Sequence, residues 1–410
     1  MMWYRDVEMT VSTSSGVRQA ANQATPVTPP TKAPEGRSLR ETLRACGMVA
    51  ALIIVWLVFE YATGGVFLRP RNFSNLIRQT AVTGILSVGM LMVIVSGEID
   101  LSVGSLVGLA GMLAAIVQAN YHGGLVAALA VACVCGVVIG LVQGAATAYA
   151  RVPSFIMTLG GLLAWRGMTK GVSGGITIPI QLDNFNAIGQ SYLDQSVGVV
   201  IAVIAVVALA ASAWRTHATR KRLGLETSGA AKVVARIGGL AAVIVAFVVV
   251  LNRYQGIPVP VLLFVAVALL GAFVMSNTTF GRYLYAVGGN REAARLSGIN
   301  TRWLTVAVFS LMGLLAALAS IIYTARVGSA SPDAGMLLEL DAIAACVIGG
   351  ASLMGGRGAV FGACIGALLM ASLDNGMSLK NVADYIQDIV KGGILVVAVA
   401  LDMLGRKRTA

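Results

Sequence analysis

Charged residues and histidines are scarce in this 410-residue chain. Only 12% of its residues are charged and 57% are hydrophobic, whereas soluble domains carry about 25% charged residues. His122 and His217 are far apart in the sequence, and the five cysteines form no CxxC pair. We therefore expect no metal site and no cofactor. The chain has no HExxH motif and no G-x-x-x-x-G-K-[ST] motif, so enzymatic activity, including ATP hydrolysis by a phosphate-cradling loop, is not expected of it.

The positive charge is confined to a few segments. The net charge of +12 is concentrated in the N-terminal tail, in residues 215–236 and at the C-terminus. Basic residues between apolar runs follow the positive-inside rule of membrane proteins, whereas nucleic-acid binding would require a continuous basic face. We expect no nucleic-acid partner. The apolar composition and the 48 glycines, which allow close helix packing, predict an all-α, polytopic helical membrane protein surrounded by lipid.

Residues 1–44 differ from the rest of the chain. They contain Ser, Thr, Ala and Pro without apolar periodicity, which predicts a disordered cytoplasmic tail and not a signal peptide. Residues 45–410 form the predicted transmembrane domain, in which a window of about 20 residues identifies about twelve segments. Several are short for a full crossing, so tilted, kinked or re-entrant segments are expected. Their centres are 46–67, 75–96, 101–119, 124–149, 154–169, 196–214, 237–252, 258–276, 303–324, 340–354, 358–376 and 385–403.

Basic residues also set the expected orientation. The arginines of the tail place the N-terminus in the cytoplasm, and an even number of crossings returns the basic C-terminus to the same side. The same count places residues 215–236 and the loop 277–302 inside. It leaves three arginines at the outer interface, to which we assign interface anchoring only: Arg69, Arg71 and Arg78.

A short acidic break at residues 96–104 separates two uncharged apolar runs. Ionisable groups at membrane depth are costly and usually line a pathway or cap a helix, and transporters build sites from broken helices with glycine. A simple capped turn fits equally well, with Asp100 or Ser102 as N-cap, and we expect Asp100 to cap a helix that starts at Leu101. We expect a helix discontinuity near the inner mouth of a pathway. The pathway or helix-break candidates are Gly97, Glu98, Asp100, Ser102 and Gly104, with Asp374 and Asn375 further along the chain.

A second distinctive segment lies between two predicted crossings, on the basic side. Asn290 is a suitable N-cap, and Arg291 to Leu296 is predicted to form a short amphipathic helix that Gly298 ends. Such a helix suits docking into a groove of a soluble partner, although a solvated interface helix produces the same pattern.

Several motifs resemble one family. Residues 292–298 match the EAA-x-x-x-G pattern that importer permeases present to their ATPase subunits, and residues 97–105 resemble the GxIDLSVGS signature of monosaccharide-type ATP-binding cassette (ABC) permeases. Residues 151–160, 348–358 and 362–376 resemble further segments of that family, in the same order. The chain is thereby identified as resembling a permease of a monosaccharide ABC importer, over most of residues 75–400.

The resemblance implies a multi-pass protein of the bacterial inner membrane. The permeases of this family form homodimers, pair with a tandem-domain ABC ATPase and receive sugar from a periplasmic sugar-binding protein. The resemblance also implies an ATPase-coupling loop. Its candidate residues are Gly288, Asn290, Glu292, Ala293, Ala294 and Gly298.

The expected substrate follows from the layout of the chain. Residues 196–256 resemble an inserted helix pair relative to the shorter ribose-type permeases, and this longer layout is most similar to the xylose permeases. We therefore expect transport of a monosaccharide, with the pentose D-xylose first and ribose, arabinose or another sugar as alternatives.

An ion-coupled secondary sugar transporter and a passive sugar channel are the competing classes. Coupling to an ion requires charged side chains inside the crossings, and Asp374, Asp388 and Lys391 are the candidates. A local i,i+3 ion pair between Asp388 and Lys391 would explain two of them without any such role.

Overall fold

The computed structural model describes residues 39–224 and 229–407, which are almost entirely helical. The tail predicted for residues 1–44 lies outside the described residues up to position 38, and the first described helix begins inside it, at Leu39. The chain divides into one unit of Met1–Leu43 and a second of Arg44–Ala410. The described part of the first unit is the start of that helix.

The described residues form fifteen helices and two very short strands. The helices are α1 (Leu39–Ala62), α2 (Pro70–Val95), α3 (Val103–Tyr121), α4 (Leu125–Tyr149), α5 (Ser154–Ser173), α6 (Asp183–Gln190), α7 (Gln195–Arg222), α8 (Ala230–Asn252), α9 (Val259–Asn277), α10 (Thr279–Gly289), α11 (Arg291–Leu296), α12 (Thr301–Val327), α13 (Leu338–Ile348), α14 (Val360–Leu379) and α15 (Asp384–Lys407). The strands β1 (Ile178–Pro179) and β2 (Ser329–Ala330) pair antiparallel.

Eight of the described helices are long and apolar enough to cross a membrane: α2, α3, α4, α7, α8, α9, α12 and α14. In α1, the residues Cys46–Ala62 form a shorter apolar helix. The chain is therefore a helical membrane protein with several crossings. The total of about twelve crossings and the cytoplasmic position of both termini stay predictions.

One predicted segment, 340–354, is not a full crossing. Its helix, α13, has only 11 residues and is about 16 Å long at 1.5 Å per residue. Because the hydrocarbon core is about 30 Å thick, α13 covers roughly half of it. The sequence analysis noted that several segments are short for a full crossing, and α13 is one of them.

Small residues bring α4 and α12 close together. A Cβ atom added to Gly136 would overlap the Gly313 backbone, and one added to Gly140 would overlap the backbone of Phe309. Larger residues at these positions would separate the two helices, so their glycines fix the contact. The apolar side chains of α2, α3 and α12 form most of the main buried cluster.

Segment 196–256, predicted above to be an inserted helix pair, consists largely of two helices, α7 and α8, that pack against each other. The Gln195 side-chain amide donates to the Asn252 carbonyl at 3.0 Å, and the Asn252 amide donates to the Gln195 carbonyl at 3.2 Å. Most of the described side chains on both helices are exposed in the isolated chain. The pair thus lies at the edge of the helix bundle, and its connecting residues 225–228 lie outside the described part.

Candidate functional site

The acidic break is a stretch of seven non-helical residues, 96–102, between α2 and α3. The backbone turns at Gly97, whose φ of 84° lies in the left-handed region that favours glycine. The Gly97 N–H donates to the Ile94 carbonyl at 2.9 Å and the Glu98 N–H to the Val93 carbonyl at 3.1 Å. These hydrogen bonds close the end of α2. The expected helix discontinuity is therefore present here.

Asp100 does not act as the predicted N-cap of a helix starting at Leu101. α3 begins two residues later, at Val103, with Ser102 as its N-cap. Asp100 Oδ1 instead accepts hydrogen bonds from the Ser102 backbone N–H at 2.8 Å and from the Ser102 hydroxyl at 2.7 Å. The Gln143 side-chain amide donates to the same hydroxyl at 2.9 Å. The residues do fix the backbone before α3, but through a side-chain turn that places the aspartate outside the helix.

Helix α5 forms hydrogen bonds with Ile99, in the middle of the acidic break. The Thr158 hydroxyl donates to the Ile99 carbonyl at 3.2 Å, and the Ile99 N–H reaches the Ser154 hydroxyl at 3.4 Å. Non-helical backbone inside a membrane protein needs partners of this kind, because lipid supplies none. Residues 151–160, singled out by their resemblance to the family, therefore pack directly against the break.

Three glycine-containing segments meet at one point, here called the inner junction: Gly97 of the break, Gly288 of α10 and the pair Gly355–Gly356. The Gly356 N–H donates to the Val95 carbonyl at 2.9 Å. A Cβ atom on Gly288 would overlap the Val95 carbonyl oxygen, and one on Gly355 would lie 3.0 Å from the Gly97 Cα. The backbones touch because none of these residues has a side chain. Three motifs that are distant in sequence thus form one contact.

The predicted short helix is present as α11, Arg291–Leu296. The Asn290 side chain caps it by accepting from the Ala293 N–H at 2.9 Å, and Gly298 follows its end with a φ of 85°. Ala294 is buried, whereas Glu292 is exposed and pairs only with Arg295 in the same helix, at 2.7 Å. The exposed side of α11 is therefore free within the described chain.

An ion pair joins α11 to the acidic break. The Arg291 guanidinium donates to Glu98 Oε1 and, at 3.1 Å, to the Thr305 hydroxyl on α12. Glu98 is buried and Arg291 is half-exposed. A buried carboxylate that loses such a partner is strongly disfavoured. The sequence analysis named Glu98 as a candidate but did not identify Arg291, because 193 residues separate the two.

The residues before α13 form a second non-helical segment, 331–337. Gly335 touches the backbone of Gly104, and a Cβ atom added to either residue would overlap the backbone of the other. The Arg166 guanidinium of α5 donates to the Ala334 carbonyl at 2.7 Å and the Pro332 carbonyl at 3.3 Å. The first turns of α3 and α13 are thereby brought together inside the helix bundle.

Lys391 does not form the expected i,i+3 pair with Asp388. Its ammonium group lies 2.8 Å from Asp374 Oδ1 and 3.4 Å from Asp341 Oδ2, and so links α15 to α14 and α13. Asp388 and Lys391 both line a cavity of about 150 Å³, but Asp388 does not pair with Lys391. Asp374 is therefore part of a partly buried charge cluster, which we call the lysine cluster.

Asn375 and the arginines predicted at the outer interface lie away from the acidic break. The Asn72 amide donates to Asn375 Oδ1 at 2.8 Å, which joins the start of α2 to α14. The Arg78 guanidinium lies 5.5 Å from the centre of the Tyr192 ring, in a cation–π contact, and the Arg69 side chain donates to the Gly65 carbonyl. Neither Asp374 nor Asn375 belongs to the acidic break, so the predicted pathway residues fall into two separate sites.

The sequence analysis missed two buried carboxylates in the first turn of α13, Glu339 and Asp341. The available signal was the same as for the acidic break: two charges directly before an uncharged apolar stretch. It was overlooked because segment 340–354 was counted among the crossings.

Comparisons of the sequence with known proteins identify the family of the chain. Residues 72–399 match the family described as "Branched-chain amino acid transport system / permease component". The chain is 48% identical over 362 residues to the xylose transport system permease protein XylH of Escherichia coli K12, covering 88% of this chain and 92% of that protein. It is 45% identical over 361 residues to XylH of Haemophilus influenzae, covering 88% and 96%.

A more distant relative is the ribose import permease protein RbsC of Escherichia coli K12. It is 36% identical over 356 residues, covering 87% of this chain and 92% of that protein. No solved structure matches the chain. The chain belongs to the family of transport-system permeases that these matches define. The resemblance derived from its motifs is confirmed.

Proposed function

We propose that the chain is the membrane-spanning permease subunit of an ABC importer that moves D-xylose across the bacterial inner membrane. The substrate is proposed from the similarity to two xylose permeases, which extends over nearly the full length of each relative. Ribose is the runner-up, because the ribose permease is less similar. ATP hydrolysis is assigned to a separate tandem-domain subunit, and a periplasmic sugar-binding protein delivers the sugar.

The observation that carries the proposal is the connection from α11 to the acidic break. α11 presents exposed Glu292 at the surface, while Arg291 reaches inward to Glu98. The inner junction adds direct backbone contact between the break and α10. A displacement of α11 by a docked ATPase would therefore move the break, and with it the start of α3.

The docking surface can be tested with Glu292→Ala. Among the described residues, Glu292 pairs only with Arg295 on the exposed surface, and such pairs contribute about 0–1 kcal/mol to stability. The variant should reach the membrane normally but bind the ATPase weakly and lose xylose uptake. Asp333→Ala is a matched control, because Asp333 is also exposed and paired, with Lys170 at 3.5 Å. Normal co-purification of the ATPase with the Glu292 variant would contradict the docking proposal.

The transport activity itself is tested by reconstitution. Proteoliposomes containing the permease, the ATPase and the binding protein should accumulate D-xylose when ATP is supplied, and a hydrolysis-deficient ATPase should abolish uptake. Crosslinking of the permease in the same vesicles should give dimers, as the family resemblance implies. Equal uptake with and without ATP would contradict the importer class and would favour a passive channel.

The lysine cluster is the feature that an ion-coupled transporter would need. Two carboxylates and one ammonium group lie together on α13, α14 and α15, as in sites that carry coupling ions. A protonophore distinguishes the two classes. ATP-driven uptake by the proposed importer should be insensitive to it, whereas uptake by an ion-coupled transporter would collapse.

A further inference from the structure

Two helices begin at nearly the same place inside the bundle. The first turn of α3 contains Gly104, and the first turn of α13 contains Glu339, whose carboxylate touches the Gly104 Cα region. Gly111, seven residues further along α3, lies against Thr324 near the end of α12. At 1.5 Å per residue along α3, Gly104 therefore lies about 10 Å further into the helix bundle than that end of α12. Two positive helix ends thus converge inside the helix bundle.

Two buried polar atoms beside this point have no hydrogen-bond partner among the described residues. Glu339 is only 6% exposed, and its Oε2 atom is unpartnered. The indole N–H of half-buried Trp165 on α5 is unpartnered too. A Cβ atom on Gly161 would lie 2.9 Å from that nitrogen and 3.2 Å from the Ser102 Cβ. Both atoms therefore flank the start of α3.

The two unpartnered atoms are complementary in kind. Glu339 Oε2 accepts hydrogen bonds and the Trp165 N–H donates them. Leaving either of them unpaired inside the protein costs free energy, so a ligand that both donates and accepts would relieve the cost. A sugar hydroxyl does both, and the face of an indole ring packs well against the C–H groups of a sugar.

We propose that the first turn of α3, Glu339 and Trp165 form a binding station for sugar hydroxyls within the membrane. In this station Glu339 accepts a hydrogen bond from one hydroxyl and Trp165 donates to another. The inference rests on the proposed function, because it assigns a place to the sugar of the same importer.

The position of the station also connects it to α11, the helix proposed to contact the ATPase. Glu339 lies at the start of α13, and the break that precedes α3 is joined to α11 by the Glu98–Arg291 pair. Movement of α11 would therefore change the separation of the α3 and α13 starts. Because Gly335 touches Gly104 in this structure, a sugar would enter or leave the station only when the two starts part.

The test uses the complete importer in proteoliposomes and compares Trp165→Phe, Glu339→Gln and Glu339→Leu with Asp333→Asn. Phenylalanine keeps an aromatic face but removes the donor, and glutamine keeps an acceptor that leucine lacks. Trp165→Phe and Glu339→Leu should lower xylose uptake about five- to tenfold, as expected for one lost hydrogen bond. ATP hydrolysis stimulated by the loaded binding protein should persist, and Glu339→Gln should retain more uptake than Glu339→Leu.

Deoxy analogues separate sugar contact from a structural effect. In wild type, removing the contacted hydroxyl from D-xylose should reduce uptake, and that penalty should shrink in Trp165→Phe or Glu339→Leu. The binding protein is the same in every experiment, so its own preference cancels from the comparison. Unchanged penalties in all variants would overturn the proposal, as would failure of both Trp165→Phe and Glu339→Gln to fold. Absence of xylose uptake in wild type would instead refute the proposed function.

Discussion

The inner junction predicts an unusually sharp difference between two adjacent glycines of α10. Alanine at Gly288 would drive its Cβ into the Val95 carbonyl oxygen and to within 2.6 Å of the Gly356 nitrogen, whereas alanine at Gly289 would meet nothing within 4 Å. Both residues are helical. Gly289→Ala is thus a control that adds the same atom one position away.

The cost at Gly288 can be estimated from the contacts. Inserting a methyl group into packed structure costs about 1–3 kcal/mol, and separating the Gly356 N–H from the Val95 carbonyl removes a hydrogen bond worth about 0.5–1.5 kcal/mol. The total is about 2–4 kcal/mol, and all of it falls on the contact between α10 and the acidic break. Gly289→Ala should be neutral or slightly stabilising, because alanine favours helix.

The measurement is thermal unfolding of the purified permease in detergent, followed by xylose uptake and ATP hydrolysis of the assembled importer. Gly288→Ala should unfold at a clearly lower temperature, and any folded fraction should hydrolyse ATP with little sugar movement. Gly289→Ala should resemble wild type in both assays. Equal behaviour of the two variants would refute the claim that backbone contact at the inner junction is required.

Three further predictions concern other parts of the chain. Asp100→Asn should retain most uptake, since its side-chain carbonyl still accepts from Ser102. Asp100→Leu loses both hydrogen bonds and should lower stability by about 1–3 kcal/mol in thermal unfolding. Equal losses in the two variants would show that the charge itself is required. Lys391→Met leaves Asp341 and Asp374 without their cation and should destabilise the permease by about 3–5 kcal/mol; an unchanged unfolding temperature would contradict this. A cysteine placed at Thr216 near the end of α7 should react with an impermeant maleimide only from the cytoplasmic side, and labelling of intact cells would show the topology to be wrong.

Much of the architecture followed from the sequence because lipid imposes a simple rule on it. Long apolar runs become helices, and glycines at their breaks remain visible as interruptions. The short helix Arg291–Leu296 was predicted to the residue, since its cap and its terminating glycine are local signals. The start of α3 was predicted two residues early, because Asp100 and Ser102 are both good caps and only tertiary contacts with Gln143 and α5 select between them.

The site was harder to predict because its contacts join distant segments. Glu98 and Arg291 are 193 residues apart, and Lys391 reaches Asp341 across 50 residues. The near neighbour Asp388 offered a plausible local partner, but helix packing turned Lys391 towards α13 and α14 instead. The sequence also did not predict that α13 covers only about half of a crossing. Gly349 and Gly350 interrupt an apolar stretch that otherwise resembles a full crossing.

The most direct test of the account is a double-mutant cycle on the ion pair between α11 and the acidic break. Glu98→Gln, Arg291→Gln and the double variant would be compared with wild type in proteoliposomes, with the number of xylose molecules moved per ATP hydrolysed as the measured quantity. If the pair transmits movement, each single variant lowers this ratio and the double variant is no worse than the more affected single. Losses that simply multiply in the double variant, or a ratio unchanged in either single variant, would contradict transmission through Glu98 and Arg291.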